Sequence, residues 1–432
     1  MVIALAGISY RTAPVEVRES LAFTTGELAE LLPALRVQFG ATAVLSTCNR
    51  TEVYLAGDGH ASEAADMIAF LAQHKQATSD EQRGRGAVSS PPIDSRQIYS
   101  LERADAVRHL LRVASGLDSM ILGEVQILGQ VRGALRAAEQ AGSADALLIR
   151  LFQSAIATGR KVRMTAGLGR FAASVSTTAV ALAQRVCGDL RGRSVLVVSA
   201  GEAGKLTAQG LREAGAGRIM VTSRTLTRAV ALAEQLGGTT LPYDRLGDGI
   251  ANADIVISAT GSRGFPIDAP LIRQVMTCRS TRPLLLIDLA VPRDIDPAAG
   301  EVSGVQLYDI DDLQFVGNGG AGERLQAVEA AEQLVDMEVG RFLAWWQSRR
   351  AAPTISALRD QAETIRRAEL AKTLDRLPNL SDEERGRIEA LTAAIVNKLL
   401  HQPIVRLKQR ETDTRYLDAV RELFALRAGA AD

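Results

Sequence analysis

The chain has 432 residues, 47% hydrophobic and 23% charged, with 50 basic residues balanced by 50 acidic ones. That length exceeds one core and predicts two or three domains, and a net charge of zero leaves only local patches for any nucleic-acid contact. Aromatic residues at 4% argue against base stacking as the main activity, and three cysteines exclude a disulfide framework.

The N-terminal run Met1 to Gly7 has no basic leader and is too short for a membrane span. It reads as a first β-strand, Val2 to Ile8, of a cytoplasmic protein without a membrane partner. An amphipathic helix follows over Thr25 to Phe39, opened by Thr24-Thr25. Apolar runs on either side of Ser46-Thr47-Cys48-Asn49-Arg50-Thr51 read as two strands. An alanine-rich helix over Ala61 to Gln73 and a last strand near Gln97 to Leu101 complete a β-α-β-β-α-β order, which predicts a ferredoxin-like unit. Residues 75–96, rich in Gly, Ser and Pro, read as an insertion. From Ala104 to Gly167 the apolar spacing is helical, with a third helix over Leu147 to Met164. The segment Gly116 to Glu124 mixes glycines and polar groups, as a loop lining a site would.

From about residue 175 the texture changes again. Ser194 to Val198 has the continuous apolar run of a parallel strand. The turn Ser199-Ala200-Gly201-Glu202-Ala203-Gly204 follows, then a helix over Lys205 to Ala214 and a strand over Arg218 to Thr222. Further strands fit Asp254 to Ser258 and Leu284 to Asp288. Strand, Gly-rich turn, helix, strand is the Rossmann-like dinucleotide arrangement, with pyrophosphate on the helix N-terminus. Ser223-Arg224-Thr225 stands where an NAD site would place an acidic residue, and arginine with hydroxyls suits the 2′-phosphate of NADP. Beyond about Asp311 the chain reads as long charged helices: Glu323 to Arg350, Ile355 to Leu377, one opened by the capping box Ser381-Asp382-Glu383-Glu384, and Thr412 to Leu426. They suggest a dimerisation bundle.

Cys48 sits at a loop apex between two strands, and Arg50 either favours a thiolate there or takes a substrate carboxylate bidentately. A lone cysteine is ordinarily a small core residue. Combined with a dinucleotide site, it suggests covalent acyl reduction: a thioester forms on the cysteine and hydride converts it to an aldehyde. No His/Cys cluster has metal-ligand spacing, and the chemistry needs no metal. Basic stripes at Arg150, Arg160, Lys161, Arg163 and Arg170, and at Arg406 to Arg410, are the candidates for contact with nucleic acid.

Three ordered motifs carry a family resemblance. Gly7-Ile8-Ser9-Tyr10-Arg11-Thr12-Ala13-Pro14-Val15-Glu16-Val17-Arg18-Glu19 resembles the opening of glutamyl-tRNA reductases. Leu45 to Tyr54 resembles their nucleophile loop, and Val113 to Val131 a third family segment. The resemblance implies an α/β multidomain architecture: a ferredoxin-like α+β catalytic domain with added helices (1–166), a Rossmann-like NADP-binding domain (167–311) and a linker helix with a helical dimerisation domain (312–432). It implies NADPH-dependent reduction of glutamyl-tRNA to glutamate-1-semialdehyde, which opens 5-aminolevulinate and tetrapyrrole synthesis. By the same resemblance Cys48 is the nucleophile and His109 a residue needed for activity. Thr47, Asn49, Arg50, Ser119, Glu124, Val125, Gln126 and Gln130 match substrate-binding positions, with Glu124 a partner for the α-ammonium. The cofactor turn is Ser199, Ala200, Gly201, Glu202, Ala203 and Gly204, with Ser223, Arg224 and Thr225. The implied partners are glutamyl-tRNA, a second copy of the chain and the aminomutase that takes the aldehyde. Ser199 stands where the family usually has glycine, and Val125 where many members have proline. Two other readings are an NADP enzyme of the shikimate dehydrogenase type, which would not need Cys48, and a sensing relative that binds glutamyl-tRNA or cofactor without making aldehyde.

Overall fold

A computed structural model describes residues 2–57, 66–75, 93–124, 126–166, 174–262, 264–279, 282–315, 321–348, 352–409 and 414–426. Val125, Arg170, Arg410, residues 61–65 of the expected second helix and most of the expected insertion (76–92) lie outside the described residues. The chain forms two compact units, Met1–Glu338 and Val339–Asp432.

The first unit opens with strand β1 (Val2–Ser9), short helix α1 (Val15–Ser20) and α2 (Thr25–Phe39). Strands β2 (Ala41–Ser46) and β3 (Arg50–Gly57), helix α3 (66–75) and strand β4 (Tyr99–Glu102) follow. The sheet order is β2-β3-β1-β4, antiparallel throughout, as a ferredoxin-like unit requires. Leucines at 28, 31, 32 and 35 recur at helical spacing and bury α2 against β2, together with Val44, Val53 and Leu71. The Thr24–Glu27 capping box starts α2 where the sequence places it. Helices α4 (Arg103–Ala114), α5 (Ile127–Gln140) and α6 (Ala146–Thr165) then pack on one another and on the sheet.

Helix α7 (Val175–Cys187) leads into a six-stranded parallel sheet. Its strands are β5 (Ser194–Val198), β6 (Arg218–Thr222), β7 (Thr239–Thr240), β8 (Ile255–Ser258), β9 (Leu284–Asp288) and β10 (Val305–Tyr308). They run in the order β10-β9-β8-β5-β6-β7. Both faces are covered, which is why these strands read as unbroken apolar runs. Helix α8 spans Glu202–Glu213, three residues earlier than Lys205, because Gly201 already acts as its N-cap. Helices α9 (Leu226–Gln235), α10 (Leu246–Asn252) and α11 (Ala269–Cys278) make the crossovers. Strand order reverses at β5 and β8, and ligands of such sheets sit at that point, beyond the carboxyl ends of the strands.

Helix α12 (Ala321–Ser348) begins in the first unit, where Arg112–Glu332 (2.6 Å) and Lys161–Glu338 (2.8 Å) ion pairs pin it to α4 and α6. The second unit is built from α13 (Ala352–Asp375), α14 (Asp382–Gln409) and α15 (Thr414–Leu423). Its core gathers Leu358, Leu407, Leu417 and Val420. Pro353 lies in the first turn of α13, where a missing N–H costs nothing. Ser381 and Glu384 form the expected reciprocal cap of α14. Among the described residues no helix is long and apolar enough to cross a membrane.

Candidate active site

Thr47, Cys48 and Asn49 form the tight connection between β2 and β3, and Arg50 begins β3. The Thr47 hydroxyl accepts from the Asn49 and Arg50 backbone N–H groups, each at 3.2 Å, and Thr47 N–H donates to Arg50 O at 2.8 Å. A Ser/Thr-type turn of this kind fixes the loop from within. Tyr10 N–H holds Asn49 O at 2.9 Å, and the buried Arg18 of α1 donates from Nη1 to Cys48 O. The half-buried Cys48 is thus presented by a loop tied down on both flanks.

Under this loop lies a buried polar network centred on Glu52, which is 0% exposed. Its carboxylate takes Arg50 Nη1 at 2.8 Å and His109 Nε2 at 2.7 Å, and accepts from the hydroxyls of Tyr54 and Tyr99. Arg50 also reaches Asp118 Oδ2 at 2.9 Å and the Asp118 carbonyl. Burial pushes the Glu52 carboxyl up, but His109 and Arg50 outweigh it and hold the group well below the usual carboxylate range. The geometry depends on Gly7. It lies opposite Glu52 in β3 and opposite Tyr99 in β4, and a Cβ there would come 2.7 Å from Glu52 Cγ. The bare strand centre lets Glu52 reach Tyr99 across β1.

Glu124, buried beside Cys48, accepts from Asn49 Nδ2 at 3.4 Å and bonds Ser119, while Arg163 holds its backbone carbonyl at 3.0 Å. Burial raises the Glu124 carboxyl. Two buried atoms of this loop, Asn49 Oδ1 and Arg50 Nε, have no hydrogen-bond partner among the described residues. One is an acceptor and the other a donor, so the site can receive a ligand carrying both kinds of group. Gln126 caps α5 and Gln130 lies on its first turn, both half-buried.

The thiol differs from the sequence expectation. Burial, then the negative charge of Glu124, push Cys48 up to about 12, and the nearby Arg18 and Arg50 only partly offset them. Arg50 is 1% exposed with both terminal nitrogens engaged, so it is no open bidentate clamp, and only its Nε is left to a ligand. The basic stripe of α6 is also divided, since Lys161 and Arg163 face partners inside the unit.

The second element is a cleft of about 250 Å³ at the β5/β8 reversal. It is lined by Ser199, Ala200 and Gly201 after β5, by Ser223, Arg224 and Thr225 after β6, and by Ala259, Thr260 and Gly261 after β8. Arg228 of α9 and Tyr243 complete the wall, and neither is singled out by motif reading. Asp294 anchors the β8 loop, accepting from Ser258 Oγ (2.7 Å) and Thr260 N–H (2.6 Å). A Cβ on Gly204 would come 2.9 Å from Ser199 O, so the start of α8 is pressed against the turn. A helix N-terminus at the cleft, with two arginines on its wall, fits a dinucleotide. Glu202, Ala203 and Gly204 stand in the first turn of that helix.

The two elements border one core. Cys48, Met120 and Ile121 pack into the same apolar cluster as Val195, Val197, Ala200 and Ala259. Asp311 clasps α1 through Arg18 Nη2 and through Val15 N–H at 3.2 Å. Arg293 adds ion pairs to Glu16 (2.6 Å) and Glu19 (2.9 Å). Tyr99, Asp294 and Asp311 have no local motif that would have found them, and although Arg18, Glu52 and Asp118 lie within motif segments, nothing in their spacing marks them as buried partners.

Comparison with known proteins agrees along the whole chain. Residues 6–166 match the glutamyl-tRNA(Glu) reductase N-terminal domain, 181–316 the shikimate/quinate 5-dehydrogenase family and 330–426 the glutamyl-tRNA(Glu) reductase dimerisation domain. A glutamyl-tRNA reductase of Syntrophotalea carbinolica is 42% identical over 97% of this chain and 93% of its own length. One from Desulforudis audaxviator is 41% identical over 99% of this chain and 94% of its own. The solved glutamyl-tRNA reductase from Methanopyrus kandleri aligns with a TM-score of 0.52 at 29% identity, covering 99% of both chains. With two of its three regions matching glutamyl-tRNA(Glu) reductase domains and relatives of that name about 40% identical over nearly its full length, the chain belongs to the glutamyl-tRNA reductase family.

Proposed function

We propose that this chain reduces glutamyl-tRNA to glutamate-1-semialdehyde through a thioester on Cys48, with NADPH as the reductant. The observation that carries this reading is the packing of Cys48 into the cluster shared by Ala200 and Ala259 of the cofactor cleft. Cys48 Sγ attacks the ester carbonyl. The S–C bond forms, the C–O bond to the terminal ribose breaks, and the thiol proton leaves on the freed ribose hydroxyl. When bound, NADPH would supply the hydride that turns the thioester into an aldehyde, with the C–S bond breaking and Cys48 released as the thiolate that takes up a proton. Asn49 Oδ1 and Glu124 suit the substrate's α-ammonium, and Arg50 Nε suits an oxygen of its side-chain carboxylate. An ammonium beside Glu124 neutralises the negative charge that, together with burial, keeps the thiol protonated, so substrate binding itself activates the nucleophile. His109 acts through Glu52, steadying Arg50. Ser119, Val125, Gln126 and Gln130 belong to the same substrate segment.

Ser223, Arg224, Thr225 and Arg228 favour the 2′-phosphate of NADPH over the free hydroxyl of NADH. The domains of this reading are 1–166, 167–311 and 312–432. The exposed apolar stripe Leu391, Ile395 and Leu399 on α14 is the face by which two copies join. The enzyme works in the cytoplasm and hands its labile aldehyde to an aminomutase. The test is aldehyde formation from charged glutamyl-tRNA and NADPH. Wild type is expected to form it and Cys48→Ser to form none, whereas a fully active Cys48→Ser variant would overturn the covalent route.

A further inference from the structure

The turn that opens the cofactor cleft contains a side chain where the backbone favours none. Ser199 has φ +155°, a region that residues with a Cβ rarely enter. Its hydroxyl accepts the Gly201 N–H at 3.0 Å. Gly201 is the N-cap of α8, so that N–H is one of the donors standing at the mouth of the helix. The hydroxyl sits close over Gly201, where a Cβ would lie 3.3 Å from Ser199 Oγ. The strain has no easy outlet, because Gly204 packs its bare Cα face against Ser199 O. Ser199, Ala200 and Gly201 all line the cleft.

We propose that the Ser199 hydroxyl competes with the dinucleotide phosphate for the Gly201 N–H, so that this chain holds its cofactor more loosely than its own cleft allows. One N–H cannot direct a short hydrogen bond to Oγ and to a phosphate oxygen at the same time. The charged oxygen makes the stronger bond, but only after Oγ has given way. The proposal rests on the reading of this cleft as a dinucleotide site, and it assigns Ser199 a role set by its hydroxyl and not only by its size.

Two variants of the full-length chain separate the possibilities. Ser199→Ala keeps the Cβ and the strained φ but removes the hydroxyl. Ser199→Gly removes both. NADPH affinity is read by nucleotide fluorescence at fixed salt, and thermal unfolding is followed without nucleotide. Both variants are expected to lower the NADPH Kd roughly two- to tenfold, the scale of one released hydrogen bond. Ser199→Gly is also expected to unfold at a higher temperature than Ser199→Ala, because only glycine relieves the backbone. An unchanged or weaker Kd in Ser199→Ala, with wild type binding NADPH, overturns the competition and leaves the cofactor reading standing. No NADPH binding by any of the three proteins overturns both.

Discussion

The Cys48 loop and the cofactor cleft solve opposite problems. Around Cys48 nearly every charge is buried and answered: Glu52 takes four donors, Arg50 is enclosed, and Arg18 joins the loop to Asp311. The cleft has exposed arginines, a strained turn and a helix mouth facing outward. A network of compensated charges fixes the loop above it but resists alteration, since removing one member leaves the others unpaired in a low dielectric. An open cleft of solvated cations gives up little stability when one is lost, and what it loses is affinity. The first region therefore couples chemistry to folding, and the second separates them.

The sharpest way to break this contrast is at Glu52. Glu52→Ala strands Arg50 and His109, and is expected to cost about 3–5 kcal/mol of stability. Denaturant unfolding measures the loss, and a cost under about 1 kcal/mol would mean that the network is not the anchor of the loop. Next in size is Arg224→Ala. It is expected to weaken NADPH roughly 10- to 100-fold, leave NADH binding nearly unchanged and shift the unfolding midpoint little. Equal losses for both nucleotides would remove Arg224 from 2′-phosphate recognition. The smallest effect concerns the thiol. Cys48 alkylation by iodoacetamide should keep rising with pH towards about 12 instead of levelling near the ordinary thiol value. Glu124→Gln removes one of the two causes that raise it and should speed alkylation several-fold at pH 8. A slower reaction in that variant would reverse the assigned sign. The same shift links to stability. The folded chain keeps a proton that the unfolded chain releases above the ordinary thiol value, so stability is lost as pH rises from there towards about 12.

Much of the framework was legible because its signals are local. Strands β5, β6 and β9 fall on the residues their apolar runs mark, and α2 starts and stops where Thr24 and Gly40 cap it. The turn around Cys48 and the Gly-rich turn stand out by composition alone. What stayed hidden acts over distance. Arg18 and Asp311 lie 293 positions apart, and Tyr99 reaches Glu52 across 47. A buried charge has the same letter as a solvated one, so neither the hub at Glu52 nor the enclosure of Arg50 can be read from spacing. The direction of the Cys48 shift was missed for a related reason. The neighbouring Arg50 argued for a thiolate, while the stronger influences are burial and a carboxylate 76 positions away in sequence. The helix expected from Ile355 begins three residues earlier, at Ala352, because Pro353 fits the first turn of α13.

The reluctance of Cys48 to ionise also bears on how the protein ages in air. Peroxide attacks the thiolate, and the first oxidation product of an exposed, ionised cysteine is a sulfenic acid. A thiol kept protonated escapes most of that damage. The exposed Cys278, at the end of α11, is the thiol left to oxidise first.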